Sequence, residues 1–149
     1  LSFIPICAES EAVGMVIMMS QSDLQNQLFM DQQQLQLCNL LQQLGLTANY
    51  IGFTHISDAV CLCAVSPKRL QLVTKLVYSE VARTHGTTWR AVERNIRNAG
   101  TLVWEENRPL LEHLAGRSLT HKPCSAQLLA ILALWLLNNT WESRRGPRR

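Results

Sequence analysis

The chain has 149 residues, 47% of them hydrophobic and 17% charged, with four Trp and a mean hydropathy of +0.00. That composition buries a core and excludes disorder as the main state, and the length suits one domain plus an appendage. Net charge is +3, but Leu1 to Pro67 holds five acids and no Lys or Arg, whereas Lys68 to Arg149 holds fourteen bases against six acids, which turns the second half towards an anionic partner.

Leu1 to Met19 is apolar and lacks the basic n-region of a secretory signal; a strand over Val13 to Met19 and the remnant of a preceding domain are both open readings. Gln21 to Gln43 interleaves nine glutamines with leucines at helical spacing, and Gly45 closes that helix as a C′ residue. It reads as an amphipathic helix over a core or as a dimerising linker. A segment at Tyr50 to Phe53 leads into a helix from about Ser57 to Ala64. Ser66 and Pro67 read as N-cap and first position of the next helix, which runs to about Thr84. His85-Gly86-Thr87 is a turn, and a helix follows from about Thr88 to Glu105. Asn107 to Pro109 breaks it, a short helix ends at Gly116, and Pro123 opens a last helix to about Asn138. The tail Ser143 to Arg149, with four Arg in seven residues, reads as frayed. No hairpin signal occurs, so the expected class is all-α: a compact domain of about six helices behind a short N-terminal segment. The longest apolar run, Leu128 to Leu137, is about half the ~20 residues of a membrane span, and no membrane partner is expected.

The five cysteines are odd in number and scattered, which fits the reducing cytoplasm better than a disulfide framework. Cys61-Leu62-Cys63 near His55 lacks the paired spacing of a zinc site and reads as small apolar side chains inside a helix, so neither metal nor cofactor is expected.

The stretch Tyr78 to Arg97 carries the chemistry. A helix-turn-helix needs a small residue near the end of its first helix and a turn that accepts an unusual backbone conformation. Ala82 and Gly86 supply these, and Val81, Val92 and Ile96 would lock the second helix onto the first. At 100° per residue Trp89, Val92, Ile96, Ala99 and Val103 share one side of that second helix, with Arg90, Arg94 and Arg97 opposite and Glu93 beside them. Arginine suits bidentate bonding to guanine or phosphate, and glutamate can accept from cytosine N4.

Thr87-Thr88, Val92-Glu93-Arg94, Ile96-Arg97 and Val103-Trp104 resemble the DNA-binding effector domain of the sporulation master response regulator of endospore-forming Firmicutes, whose recognition segment runs Thr-Thr, two residues, Arg-Val-Glu-Arg-Ala-Ile-Arg. Leu40-Leu41 to Gly45, Gly52-Phe53, Asp58-Ala59-Val60, Thr74 to Tyr78 and Lys122-Pro123 extend the likeness over about Leu35 to Asn138. The resemblance implies an effector domain over 35–139, a segment or linker over 1–34 and a basic tail over 140–149. It further implies binding of double-stranded DNA at TGNCGAA-type boxes as tandem copies. Thr87, Thr88, Arg90, Glu93, Arg94 and Arg97 are the expected contacts. The family's polymerase-contacting region falls at Leu110 to Ala115, which implies an RNA polymerase sigma factor as partner. Two departures stand out. The family's arginine before Val-Glu-Arg is Ala91 here, with Arg90 one residue earlier. The residues before Leu35 are also too few for the receiver domain that begins the family's regulator, so a stand-alone effector domain or an incomplete reading frame is expected.

An enzyme is not expected, since His55 and His85 have no evident nucleophile partner and no phosphate loop occurs. The alternative is a helical protein-protein interaction module whose basic face is incidental.

Overall fold

The computed structural model describes residues 21–145, and every regular element within them is helical. The open question over Val13 to Met19 lies outside the described residues, as does the end of the basic tail. The chain divides at Gln33–Gln34 into two units. Of the first, the described part is the opening of α1 (Gln21–Gln43), where Gln27 Nε2 donates to Asp31 Oδ1 at 3.3 Å.

In the second unit α1 ends in a Schellman turn: the Leu46 N–H donates to the Leu41 carbonyl at 3.0 Å and the Gly45 N–H to the Gln42 carbonyl at 3.1 Å. Leu37, Leu40, Leu41, Leu44 and Leu46 carry this end into the core. Next comes α2 (Ile51–Val65), which starts well before the expected Ser57. Tyr50 offers no side-chain cap, and the helix opens on a backbone bond from the Phe53 N–H to the Tyr50 carbonyl at 2.9 Å. The helix packs against both later long helices and is buried around most of its circumference, through Phe53, Ile56, Ala59, Val60 and Cys63. A helix with so little polar face gives no 3.6-residue alternation from which to read its start.

The third rod changes pitch as it goes. Pro67–Leu72 winds as a 3-10 stretch, Thr74–Tyr78 as a π turn, and Ser79–His85 as α3. Ser66 takes the extended backbone of an N-cap, yet its hydroxyl makes no cap bond, and the start rests on Pro67 and the Arg69 N–H to Ser66 carbonyl bond at 3.0 Å. In the widened turn Ser79 Oγ donates to the Thr74 carbonyl at 3.1 Å and Arg69 Nη1 to the Leu76 carbonyl at 3.1 Å. The π turn lets Val73, Val77, Tyr78, Val81 and Ala82 all reach the core.

After the turn come α4 (Trp89–Glu106), α5 (Arg108–Ala115) and α6 (Ser125–Arg145). Asn107 joins three of the helices: its Oδ1 accepts from the Leu110 N–H at 3.3 Å, capping α5, while its Nδ2 donates to the Gln43 carbonyl at the end of α1 at 2.8 Å. Pro123 precedes α6 instead of opening it; Gln127 Oε1 accepts from the Cys124 N–H at 3.1 Å. This last helix continues past Asn138 to Arg145, because nothing stops it before Gly146-Pro147. The described part of the tail, Ser143 to Arg145, is therefore helical.

Candidate nucleic-acid interface

The turn between α3 and α4 closes on one carbonyl. Ala82 O accepts from the N–H groups of both Gly86 and Thr87, the latter at 2.9 Å. Gly86 has φ +64°, and a Cβ there would meet nothing within 4 Å, so the left-handed backbone and not space requires glycine. Thr88 is extended, and its Oγ1 accepts from the Ala91 N–H at 3.2 Å, the bond of an N-cap. Beyond this cap Val92, Ile96, Ala99 and Val103 are buried on one side of α4. Ala82 lies under the same junction, 4% exposed. Truncating a side chain such as Ile96 to Ala would cost about 2–5 kcal/mol, which sets how firmly this helix is anchored.

The opposite side carries charge. Thr87, Arg90, Arg94 and Arg97 are exposed, and Glu93 and Ala91 are half-buried. Arg97 Nη1 donates to Glu93 Oε1 at 3.0 Å, whereas Arg94 has no ion-pair partner among the described residues. Trp89 departs from its expected place on the core side. It is 41% exposed, with the Arg90 guanidinium 5.3 Å from its ring centroid. As the first residue of α4 it projects before the helix has reached the core, which a helical wheel cannot register.

Two features gave no signal in sequence. Lys122, before α6, places its Nζ 2.7 Å from Thr101 Oγ1 on α4. It thereby lines a groove of about 600 Å³ with Thr74, Glu93, Arg97, His121 and Ser125. This adds a cation to the flank of the arginine face. On another flank of α4, Asn95 Nδ2 lies 3.2 Å from Nδ1 of His55 on α2. The two helices approach closely there, since a Cβ on Gly52 would stand 2.8 Å from the Asn95 carbonyl oxygen.

Burial pushes the thiols of Cys61 and Cys63 up to about 11, so both are neutral side chains of α2 at pH 7. Among the described residues no group of three His, Cys, Asp or Glu is placed to hold a metal ion, and no helix is long and apolar enough to cross a membrane. Residues 37–136 match the family model described as "Sporulation initiation factor Spo0A C terminal", a span from the end of α1 through the turn and α4 into α6. The chain belongs to that family of DNA-binding regulatory domains.

Proposed function

We infer that this chain regulates transcription in sporulation by laying α4 in the major groove of duplex DNA. The observation that carries the reading is the division of α4, with Val92, Ile96, Ala99 and Val103 buried on one side and Arg90, Arg94 and Arg97 exposed on the other. Arg94 and Arg97 bond guanine edges or phosphate, Glu93 accepts from cytosine N4, and Arg90 reaches the base that Ala91 cannot. Thr87 and Thr88 bring the helix N-terminus towards a phosphate, Thr88 through its backbone because its hydroxyl is engaged in the cap. Ala82, Gly86, Val92 and Ile96 form the frame that orients this surface.

In the same reading residues 35–139 are the effector domain, 1–34 a linker and 140–149 an added basic arm, and the protein acts in the cytoplasm. Two copies occupy tandem boxes, and α5 meets a sigma factor. Since Leu111 is buried and Leu110, Leu114 and Ala115 pack on the core, that contact falls to Glu112 and His113.

Fluorescence anisotropy with a duplex carrying a TGNCGAA box, beside a scrambled duplex, tests the reading. Binding should favour the box and weaken steeply between about 50 and 200 mM salt, because neutralised phosphates release counterions. Arg94→Ala should cost about 1–3 kcal/mol if it reads a base. Unchanged affinity in the folded Arg94→Ala/Arg97→Ala variant would sink the proposal.

A further inference from the structure

Four polar side chains from three elements meet beside α4. His55 and Asp58 stand one turn apart on α2, His85 ends α3, and Asn95 belongs to α4. Asp58 Oδ2 lies 2.5 Å from His85 Nε2, and the His85 and His55 rings meet edge to face with centroids 5.0 Å apart. Asn95 Nδ2 completes the chain at 3.2 Å from His55 Nδ1. With His55 only 6% exposed, water is a poor substitute for any partner it loses.

We propose that His55 is a positioning residue for DNA binding: when neutral it accepts from Asn95 and holds α4 against α2, and when protonated it gives up that bond and loosens the seat of α4. This rests on α4 being the DNA-reading helix.

A neutral imidazole has one acceptor nitrogen, and here Nδ1 takes the Asn95 amide hydrogen. A second proton leaves donors on both nitrogens, so Asn95 must swing its amide round to offer Oδ1. The added charge also falls beside His85, and a single carboxylate, Asp58, faces both rings. The groups acting on His55 are Asp58 of its own helix, His85 of α3 and the uncharged Asn95 of α4. Cys61, the next titratable group on α2, interacts with Asp58 and with Cys38 of α1, and at about 11 it stays neutral.

Burial first, then the charge of His85, hold His55 below the ordinary histidine range, and Asp58 offsets part of this. For a depressed histidine the sign is fixed. Its contribution is fully present above the unfolded value of about 6.5 and is lost as pH falls through the lower folded value.

The experiment measures affinity for a duplex with tandem TGNCGAA boxes at several pH values, for wild type and for His55→Gln, which does not titrate and can still accept from Asn95. His85, His113 and His121 remain in both proteins. Matched near pH 7.5, wild type should lose affinity relative to the variant by about threefold or more on acidification to about pH 5.5. Parallel curves overturn the proposal. The native protein without DNA gives a second readout that needs no variant to fold: NMR titration of the His55 ring and the Asn95 side-chain amide. A shared midpoint supports the release, and an Asn95 amide that stays still while His55 titrates overturns it. If wild type bound box DNA at no pH while the midpoints coincided, the DNA reading would fail and the His55–Asn95 release would stand.

Discussion

In the free protein Arg97 and Glu93, one turn apart on α4, are bonded to each other at 3.0 Å before any DNA arrives. Both side chains are partly exposed, so the pair is worth about 0.3–0.5 kcal/mol. A bidentate guanine contact is worth about 1–3 kcal/mol, and the pair therefore opens when DNA competes for the arginine. Glu93→Ala should leave thermal stability almost unchanged and raise affinity for an unrelated duplex, since it frees Arg97 and removes a negative charge from the binding face. Equal non-specific affinity in the two proteins at low salt would refute this.

Ala91 lies half-buried between exposed Arg90 and buried Val92. It offers no hydrogen bond, so one guanine of the box should be read loosely. Ala91→Arg should sharpen that position by about tenfold, the equivalent of one good bidentate contact. Binding-site selection on the two proteins side by side checks it, and identical preferences at every position would remove residue 91 from the DNA.

Gly52 and Ala82 keep helices close. A Cβ at Gly52 would stand 2.3 Å from Tyr50 Cε1 and 2.8 Å from the Asn95 carbonyl oxygen. Inside a helix Gly→Ala ordinarily gains up to about 1 kcal/mol. Here Gly52→Ala should lose stability instead, because a backbone oxygen of α4 has to move. Ala82→Leu should cost about 1–3 kcal/mol by overpacking the turn. Urea denaturation gives the sign in both cases, and DNA affinity should fall along with stability.

Glu112 ties α5 to the loop that follows. Its Oε1 accepts from Arg108 Nε at 2.9 Å and from the Leu119 N–H at 3.2 Å, and these bonds hold its carboxyl below the usual glutamate range. A depressed carboxylate stabilises above its unfolded pKa of about 4.3, and that contribution disappears as pH falls through the lower folded value. Glu112→Gln should therefore melt below wild type at neutral pH, and the difference should vanish near pH 3. A gap of constant size across that range would contradict the assignment.

Much of this arrangement was legible in the sequence where one side of a helix is wet. In α4 the alternation of Val92, Ile96, Ala99 and Val103 with arginines gives both the helix and its facing. Gly45 and Gly86 mark the turns because only a few backbone conformations let the chain reverse there. The start of α2 was not legible, since a helix buried on nearly every side has no alternation and Gly52, read as part of a lead-in, serves the approach of α4. Trp89 was misplaced because a wheel assumes that the core extends along the whole helix. The meeting of Asp58 with His85, and of His55 with Asn95, depends on tertiary packing over 27 and 40 positions, and no local spacing encodes it.

The π turn at Thr74–Tyr78 makes the rod leading into the helix-turn-helix sensitive to its own length. An extra residue is wound into that turn, and the phase of everything after it, Val81, Ala82 and the carbonyl that closes the turn, is set by its presence. Removing one residue there would restore ordinary pitch and rotate the end of the rod by about 100°. Val81 and Ala82 would then turn out of the core and α4 would lose its footing. Side chains across Thr74–Tyr78 are open to exchange where they are exposed, but a change in residue number is not, so related chains should vary there in letters and never in count.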